Sequence, residues 1–576
     1  MLLKHKFCLK TDTQSRCPSR ITFTSLVAVT TCLDTSTAVP AAPLPSTALA
    51  EPIGAPVAAP LALSTHFSLT VNGRRIAVHQ ARVSAVPFNR VWPGHQRPLD
   101  QTELASFATF DADFLTPAVL IITLLDDHPR ASTFATDDIA LRPVAWNLSP
   151  AVDRTRRTLT LRLDRPRHFT VEIGGQHHAL HLFANPPADY EFPPPGSPDL
   201  IHFGPGVHHA GLILPRSGQT IHIAEGAIVY GAILVRHADN VRIVGRGILD
   251  TSPFLRGQEA DETKPGGELF ARGLALDIPR ENLNYTGNIT AIACAHLTID
   301  GIILRDSPLW SANIRNGCRH VSINNLKIIG QWRYNADGIN ICSSSHVRVS
   351  GCFIRSFDDG IIARGTHMLG ENTPLHDMHV TGCVIWCDWG RALEVWTGSK
   401  SASISRVVYE NIQIIRTTHI ALGLQVWWGS PDTTAVNIRF EDISIEAHPD
   451  ALPPHIQEDD THAYPFPSDT SPARHIPDLF CANLCNPGEE WQKYFASTPG
   501  TTAKRSVYYG CITLKNIRYT GPDTPSPRII VGSGDDILQI HNIHFENIRI
   551  NDQASTPPMP LTLITHSNVQ HLTFRS

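Results

Sequence analysis

The sequence predicts an all-β protein in which a β-sandwich precedes a parallel β-helix. Short apolar alternations bounded by Gly, Asn and Pro run from residue 65 onward. After residue 201 they become repetitive, and the equivalent positions His296, Val321 and Val347 advance by 25 and then 26 residues. Most repeats share one shape, a few strand residues, a Gly or Asn corner and a second short strand, as in "HVSINNLKIIG" and "HVRVSGCFIRS". A β-only repeat of this length cannot bury its inward residues alone, so its coils must stack into a solenoid. A β-propeller needs four longer strands per repeat and about 40–45 residues.

The chain has 576 residues, 42% of them hydrophobic and 18% charged, the composition of a well-cored protein of more than one domain. Net charge is −5 and the Lys and Arg residues are scattered, which excludes a basic nucleic-acid face. No apolar run approaches the roughly 20 residues of a membrane span. A monomer without metal or cofactor is expected.

Residues 1–64 form a leader. Basic residues open it (Lys4, Lys6, Lys10, Arg16, Arg20), a short apolar stretch follows at 21–33, and an Ala/Pro-rich tract contains Ala48-Leu49-Ala50. That order is the order of an export signal with a small-residue cleavage site, so a secreted or periplasmic location is expected. The same composition also suits a Pro/Ala-rich segment that needs no fold.

Residues 65–190 read as the sandwich, with hairpin signals at Asn72-Gly73 and Gly174-Gly175. "ANPPADYEFPPPGSPD" then reads as a proline-stiffened linker, and 191–576 as the β-helix. The stretch 449–500 breaks the rhythm and reads as an inserted loop. The twelve cysteines include no CxxC pair, so no structural zinc site is expected. Cys352 and Cys383 each follow Gly and precede an apolar run, as buried residues at equivalent repeat positions would. Cys481 and Cys485 are a candidate disulfide pair.

Three acids stand beside turn-type glycines: Asp337 in "NADG", and Asp358 and Asp359 in "FDDG", 21 and 22 residues later. That interval is close to one coil, and coils stack about 4.8 Å apart, so the three carboxyls converge on one patch. Crowding raises one carboxyl's pKa while another stays ionised, the division that a general acid and a general base need. The same acids also suit turns, or a calcium site. With a water between acid and base the chemistry is inverting glycoside hydrolysis.

"SPLWSANIRNGCRHVSINNLKIIGQWRYNADGINICSSSHVRVSGCFIRSFDDGIIARGT" closely resembles the central segment of glycoside hydrolase family 28, the polygalacturonases. Ser-Pro-x-Trp at 307–310 and the interval from Asn335-Ala336-Asp337 to the Asp pair carry the resemblance. "IHFGPGVHHAGLILPRSGQTIHIAEGAIVYGAI" at 201–233 is similar to the sandwich-to-helix junction of family 49, the dextranases and isopullulanases. The resemblance implies a right-handed parallel β-helix with Asp358 as general acid. Asp337 and Asp359 would hold and deprotonate the attacking water, and Asn335 would orient the acid.

The departures concern the substrate. Where polygalacturonases carry Gly-His-Gly-Leu-Ser-Ile-Gly, this chain has Gly390-Arg391-Ala392-Leu393-Glu394-Val395-Trp396. In the region of the family's Arg-Ile-Lys, which binds the galacturonate carboxylate, stands "GLQVWWG" at 423–429. Without paired cations a uronate carboxylate is desolvated with poor compensation. Glutamine and tryptophans suit a neutral sugar, whose C–H face stacks on aromatic rings. Trp396, Gln425, Trp427 and Trp428 are therefore the expected substrate contacts. Arg364 and Arg391 would brace the acids or touch substrate, and Glu394 is a second candidate for activating water.

The expected activity is inverting hydrolysis of O-glycosidic bonds in a mainly neutral, dextran- or glucan-like poly- or oligosaccharide. The alternatives are a polygalacturonase on pectic galacturonan, a calcium-dependent lyase and a non-catalytic carbohydrate-binding solenoid.

Overall fold

The computed structural model describes residues 61–90, 97, 99–134, 138–256, 263, 266–365, 373–397, 403–427, 433–457, 475–485, 507–533, 538–554 and 560–575. The leader lies outside the described residues up to position 60.

Two five-stranded sheets follow. Phe67–Val71, Arg74–Ile76, Ala118–Leu124, Ala151–Asp153 and Thr158–Leu163 form the first. His79–Ser84, Thr102–Asp111, Ile139–Arg142, Arg167–Ile173 and Leu180–Asn185 form the second. Both hairpin signals sit at antiparallel turns, with Asn72 and Gly73 at φ +49° and +79°, the left-handed region that Asn and Gly tolerate. Leu69, Leu120 and Leu161 of the first sheet face Phe169, Val171 and Leu182 of the second in a shared core.

The sheets differ in their outer faces. In Phe67–Val71 buried and half-buried residues alternate, because the outer face meets water. All of Leu180–Asn185 is buried, because Phe107 and Phe183 turn away from the sandwich core and pack on the β-helix. There they meet Ile303, Ile329, Phe353 and Trp386.

The proline-rich segment after Asn185 is tied to the helix rather than spanning open space. The Tyr190 hydroxyl donates to Asp300 Oδ1 at 2.8 Å, and the Phe192 ring stacks on His222 with centroids 4.2 Å apart.

A central coil of the β-helix has three strands, Ile339–Cys342, Ser345–Ser350 and Phe353–Ser356 in one example. Equivalent strands pair in parallel, Ile339 with Ile361, Ile361 with Leu393 and Leu393 with Leu422. The inward residues form one continuous core, which includes Ile341, Ala363, Val395 and Leu424. Between the second and third strands each coil turns through a residue of positive φ: Asn325, Gly351, Gly382, Asn411 and Asp442, at +51° to +66°. These are the residue types that adopt this conformation at least cost, which is why the corners were visible in the sequence.

Phe353 pairs with Val384, so Cys352 and Cys383 occupy equivalent positions, both buried and free. Cys481 and Cys485 lie on a single strand, Asp478–Cys485. Four residues of extended chain span about 13 Å, beyond the roughly 7 Å limit between Cα atoms for a disulfide. That candidate pairing is therefore geometrically excluded.

The same strand changes the reading of 449–500. Asp478–Cys485 is a rung of the solenoid, Phe480 pairing with Leu422 on one side and Ile529 on the other. His455–Gln457 pairs in parallel with Phe88–Arg90 in a separate two-stranded sheet. The prolines and acids around "DLFCANL" obscured its apolar alternation. Among the described residues two short α-helices, Glu268–Ala275 and Arg280–Leu283, and a few single 3-10 turns interrupt the β-structure. Phe270, Ile278 and Leu283 cover Leu212, Leu234 and Ile292 of the early coils.

A buried ionic network joins sandwich to helix. Arg142 Nε and Arg416 Nε donate to Glu172 at 2.7 and 2.9 Å, and Arg142 Nη1 donates to Glu446 at 2.7 Å. Burial alone would raise the Glu172 carboxyl, but Arg416 and Arg142 outweigh it and push it down to about 2. A depressed carboxylate stabilises the fold fully above its usual pKa of 4.5, and that contribution is lost as pH falls toward about 2. Glu172→Ala leaves the buried Arg416 and the half-buried Arg142 short of a partner. The expected cost is about 3–5 kcal/mol, measured by chemical denaturation at neutral pH; a change under about 1 kcal/mol would show that the network contributes little.

Candidate active site

The acids lie where the third strand of one coil turns into the first strand of the next. Ile339 pairs with Ile361 and Ile361 with Leu393, so the residues two places earlier, Asp337, Asp359 and Arg391, come into line along the stack. Asp359, and not Asp358, therefore succeeds Asp337. Asp358 sits in the turn, where its backbone N–H faces the carbonyl of Ala336 at 3.3 Å. The third strands leading into these turns, Phe353–Ser356 and Val384–Cys387, rest on the sandwich through Phe353 and Trp386.

Gly390 is required by the packing. A Cβ there would lie 2.5 Å from the Asp359 nitrogen and 2.7 Å from Asp358 Oδ1. No side chain fits behind the acids at that point.

Along the first strands, residues alternate between the core and the opposite face. Asn340, Arg364, Glu394, Trp396 and Gln425 occupy that opposite face. Arg364 is central. Its Nη2 donates to Asp337 Oδ2 at 3.1 Å and to Asp359 Oδ2 at 3.2 Å, and its Nε donates to Asn340 Oδ1 at 2.6 Å. Its guanidinium lies 4.8 Å from the ring centroids of both Trp310 and Trp396. Trp396, only 6% exposed, thus packs on Arg364 and offers little face to a sugar.

Asn335, at φ +51°, donates through Nδ2 to Asp358 Oδ2 at 3.1 Å and accepts from Arg256 Nη2 at 2.8 Å. The Arg391 backbone N–H donates to Asp359 Oδ1 at 2.9 Å, and the Arg391 side chain lies 3.6 Å from the same oxygen. Arg391 Nε also donates to Gln425 Oε1 at 2.8 Å, and Gln425 Nε2 donates to Asn483 at 2.9 Å. Glu394 Oε1 lies 3.7 Å from Arg391 Nε. Two buried carboxyl oxygens, Asp337 Oδ1 and Glu394 Oε1, have no hydrogen-bond partner among the described residues.

The four acids are almost wholly buried. Burial raises Asp337 well above the usual carboxylate range, the charges of Asp358 and Asp359 add to this, and Arg364 opposes it. Asp358 is pushed up to about 7 by burial and then by the charge of Asp359, against Arg391 and Arg364. Glu394 is pushed up to about 8 by the same two causes. Crowded, buried carboxyls beside guanidinium groups can release and take up protons near neutral pH. The Arg364 guanidinium lies between Asp337 and Asp359, where a calcium ion shared by these acids would have to sit.

Asp337, Asp358, Asp359, Asn335, Arg364, Arg391, Glu394, Trp396 and Gln425 thus belong to one connected cluster. Trp427 ends the strand Ile420–Trp427, but its side chain and all of Trp428 lie outside the described residues. The sequence reading missed Asn340, Arg256, Asn483 and Gly390. Asn340 was within reach, since period-two alternation in "ADGINIC" sets it opposite Ile339 and Ile341. Arg256 comes from an excursion between coils and carries no sequence signal.

The sequence model of glycosyl hydrolases family 28 matches residues 279–458. A dextranase of Arthrobacter globiformis is 23% identical over 275 residues, 43% of this chain and 40% of the relative. A probable polygalacturonase of Arabidopsis thaliana is 26% identical over 158 residues, 27% of this chain and 32% of the relative. The chain therefore matches about two fifths or less of the length of these curated relatives. Among solved structures, Dex49A from Penicillium minioluteum superposes with a TM-score of 0.54 at 13% identity, covering 90% of this chain and 89% of the other, which shows a shared fold. Among the described residues no helix is long and apolar enough to cross a membrane. Residues 279–458 thus resemble the glycosyl hydrolases of family 28, and the chain shares its parallel β-helix fold with Dex49A.

Proposed function

We propose that the protein is an inverting glycoside hydrolase acting on a mainly neutral, dextran-like polysaccharide or oligosaccharide. The observation that carries the reading is Asp358, a buried carboxyl pushed up to about 7 beside the charge of Asp359. Asp358 donates its proton to the glycosidic oxygen as the C–O bond breaks. Asp359, with Asp337, holds the water that attacks the anomeric carbon from the opposite face and takes its proton. Asn335 orients Asp358, and Arg364 offsets the repulsion between Asp337 and Asp359.

The neutral substrate rests on the charge inventory. Arg364 is committed to Asp337 and Asp359, while Arg391 is committed to Asp359 and Gln425. Neither is left to meet a uronate carboxylate at full strength. Glu394, raised to about 8, is protonated at neutral pH and suited to donate to a sugar hydroxyl. The dextranase relatives favour the same substrate class. The family 28 match and the polygalacturonase relatives favour galacturonan, so polygalacturonate belongs in the same assay. Export is proposed from the leader's composition; N-terminal sequencing of protein from the medium would show the processed end.

Dextran, pullulan and polygalacturonate should be offered in parallel, with products followed by NMR. Hydrolysis of a neutral glucan with inverted anomeric configuration is expected, whereas retention, an unsaturated product or action on polygalacturonate alone would refute the proposal. Asp358→Asn should lower kcat by roughly 10²–10⁴-fold or more while substrate binding persists; undiminished turnover excludes Asp358 as the acid. Only the protonated form of Asp358 can donate, so kcat should fall as pH rises through about 7. Arg391 lowers the Asp358 pKa, so Arg391→Gln should move that descending limb to higher pH. A limb that stays in place would show that Arg391 does not govern this titration.

A further inference from the structure

The second strand of each coil opens with a second column of positive-φ residues, away from the acids. Leu297, one residue after the expected His296, is the equivalent of Val321. Leu297, Val321, Val347, Met378 and Val407 pair in succession, so the residues before them share one line: His296, His320, His346, Asp377 and Arg406. All five have φ between +53° and +56°. The rings of His296 and His320 stack with centroids 4.9 Å apart, His320 and His346 follow at 4.8 Å, and His346 and His376 at 5.3 Å.

At the end of this histidine run two coils converge on one carboxylate. His376 Nδ1 lies 2.7 Å from Asp377 Oδ2 and His346 Nε2 lies 3.7 Å from the same oxygen. One ligand atom from each residue lies within 4.8 Å of the others. Donors bound to a tetrahedral ion at about 2.1 Å stand roughly 3.4 Å apart, so small side-chain rotations bring these three into place. Two imidazoles and a carboxylate suit a borderline divalent ion such as zinc or copper, not calcium. Arg406 is the resident competitor, donating to Asp377 Oδ1 at 2.6 Å and Oδ2 at 2.8 Å.

The geometry points to a surface site for a divalent transition metal formed by His346, His376 and Asp377, which would staple two successive coils together. Binding takes Asp377 Oδ2 from Arg406 and leaves solvent the remaining coordination positions. The site lies outside the acid cluster and is independent of the proposed activity.

Zinc chloride titrated calorimetrically into the full chain in a non-chelating buffer should reveal a site that His346→Ala and His376→Ala each weaken at least tenfold. Arg406→Gln should tighten the same site severalfold, an effect that general loss of structure cannot produce. Copper(II) bound at one equivalent should show nitrogen hyperfine coupling in its electron paramagnetic resonance spectrum, diminished in His376→Ala. Zinc binding unaltered in the two histidine variants, no binding at all, or a copper spectrum without nitrogen ligands would overturn the assignment.

Discussion

Coil-on-coil register is the constraint on which everything else here depends. A parallel stack places equivalent residues one strand spacing apart, about 4.8 Å, and keeps them there along the whole solenoid. The interior ladders of Ile, Val and Leu fix that register, because a slip by one residue would carry every inward side chain to the outside. Once Ile339, Ile361 and Leu393 are aligned in the core, Asp337, Asp359 and Arg391 have no choice but to line up at the preceding turn. The hydrophobic core therefore places the polar cluster.

The alignment sets like charges against each other in a buried place, and the fold offsets this in three ways. Arg364 bridges two carboxylates with one nitrogen and is held between two tryptophan rings. Backbone N–H groups are aimed at Asp358 and Asp359. Protonation relieves the remainder, which is why burial and mutual repulsion raise Asp337, Asp358 and Glu394 together. The sandwich contributes indirectly. It presses on the third strands through Phe107 and Phe183, and those strands run straight into the turns that carry the acids.

Much of this was legible in the chain. The Gly and Asn corners, the apolar alternation and the interval between "NADG" and "FDDG" each follow from local rules, since left-handed corners, inward positions and stacking recur in every coil. The limits were equally physical. One residue of register separates the pairing of Asp337 with Asp358 from its pairing with Asp359, and an interval of 21 or 22 residues does not choose between them. Trp396 was read as a sugar platform from its type, but a tryptophan beside an arginine serves as readily as its support. Arg256 reaches the cluster from an excursion between coils, and Trp310 and Asn483 from the coils next to those of Asp337 and Gln425, neighbours that coil register fixes and sequence distance hides. The rung within 449–500 was hidden because its neighbours were polar, although its own alternation was intact.

The two corners that flank the second strand of each coil differ in the freedom they leave the chain. The one between the second and third strands turns through a single left-handed residue every time. The one between the first and second strands is spanned by residues 343–344 in one coil, 366–374 in the next, 398–403 and then 428–432. Residues added or deleted there return the chain to the same rung in the same phase, so the stack registers no change. Variation in length at this corner falls at the downstream ends of the strands that carry Arg364, Trp396 and Gln425. A lineage could remodel what surrounds this cluster by insertion alone, while the spacing of its acids is inherited unaltered.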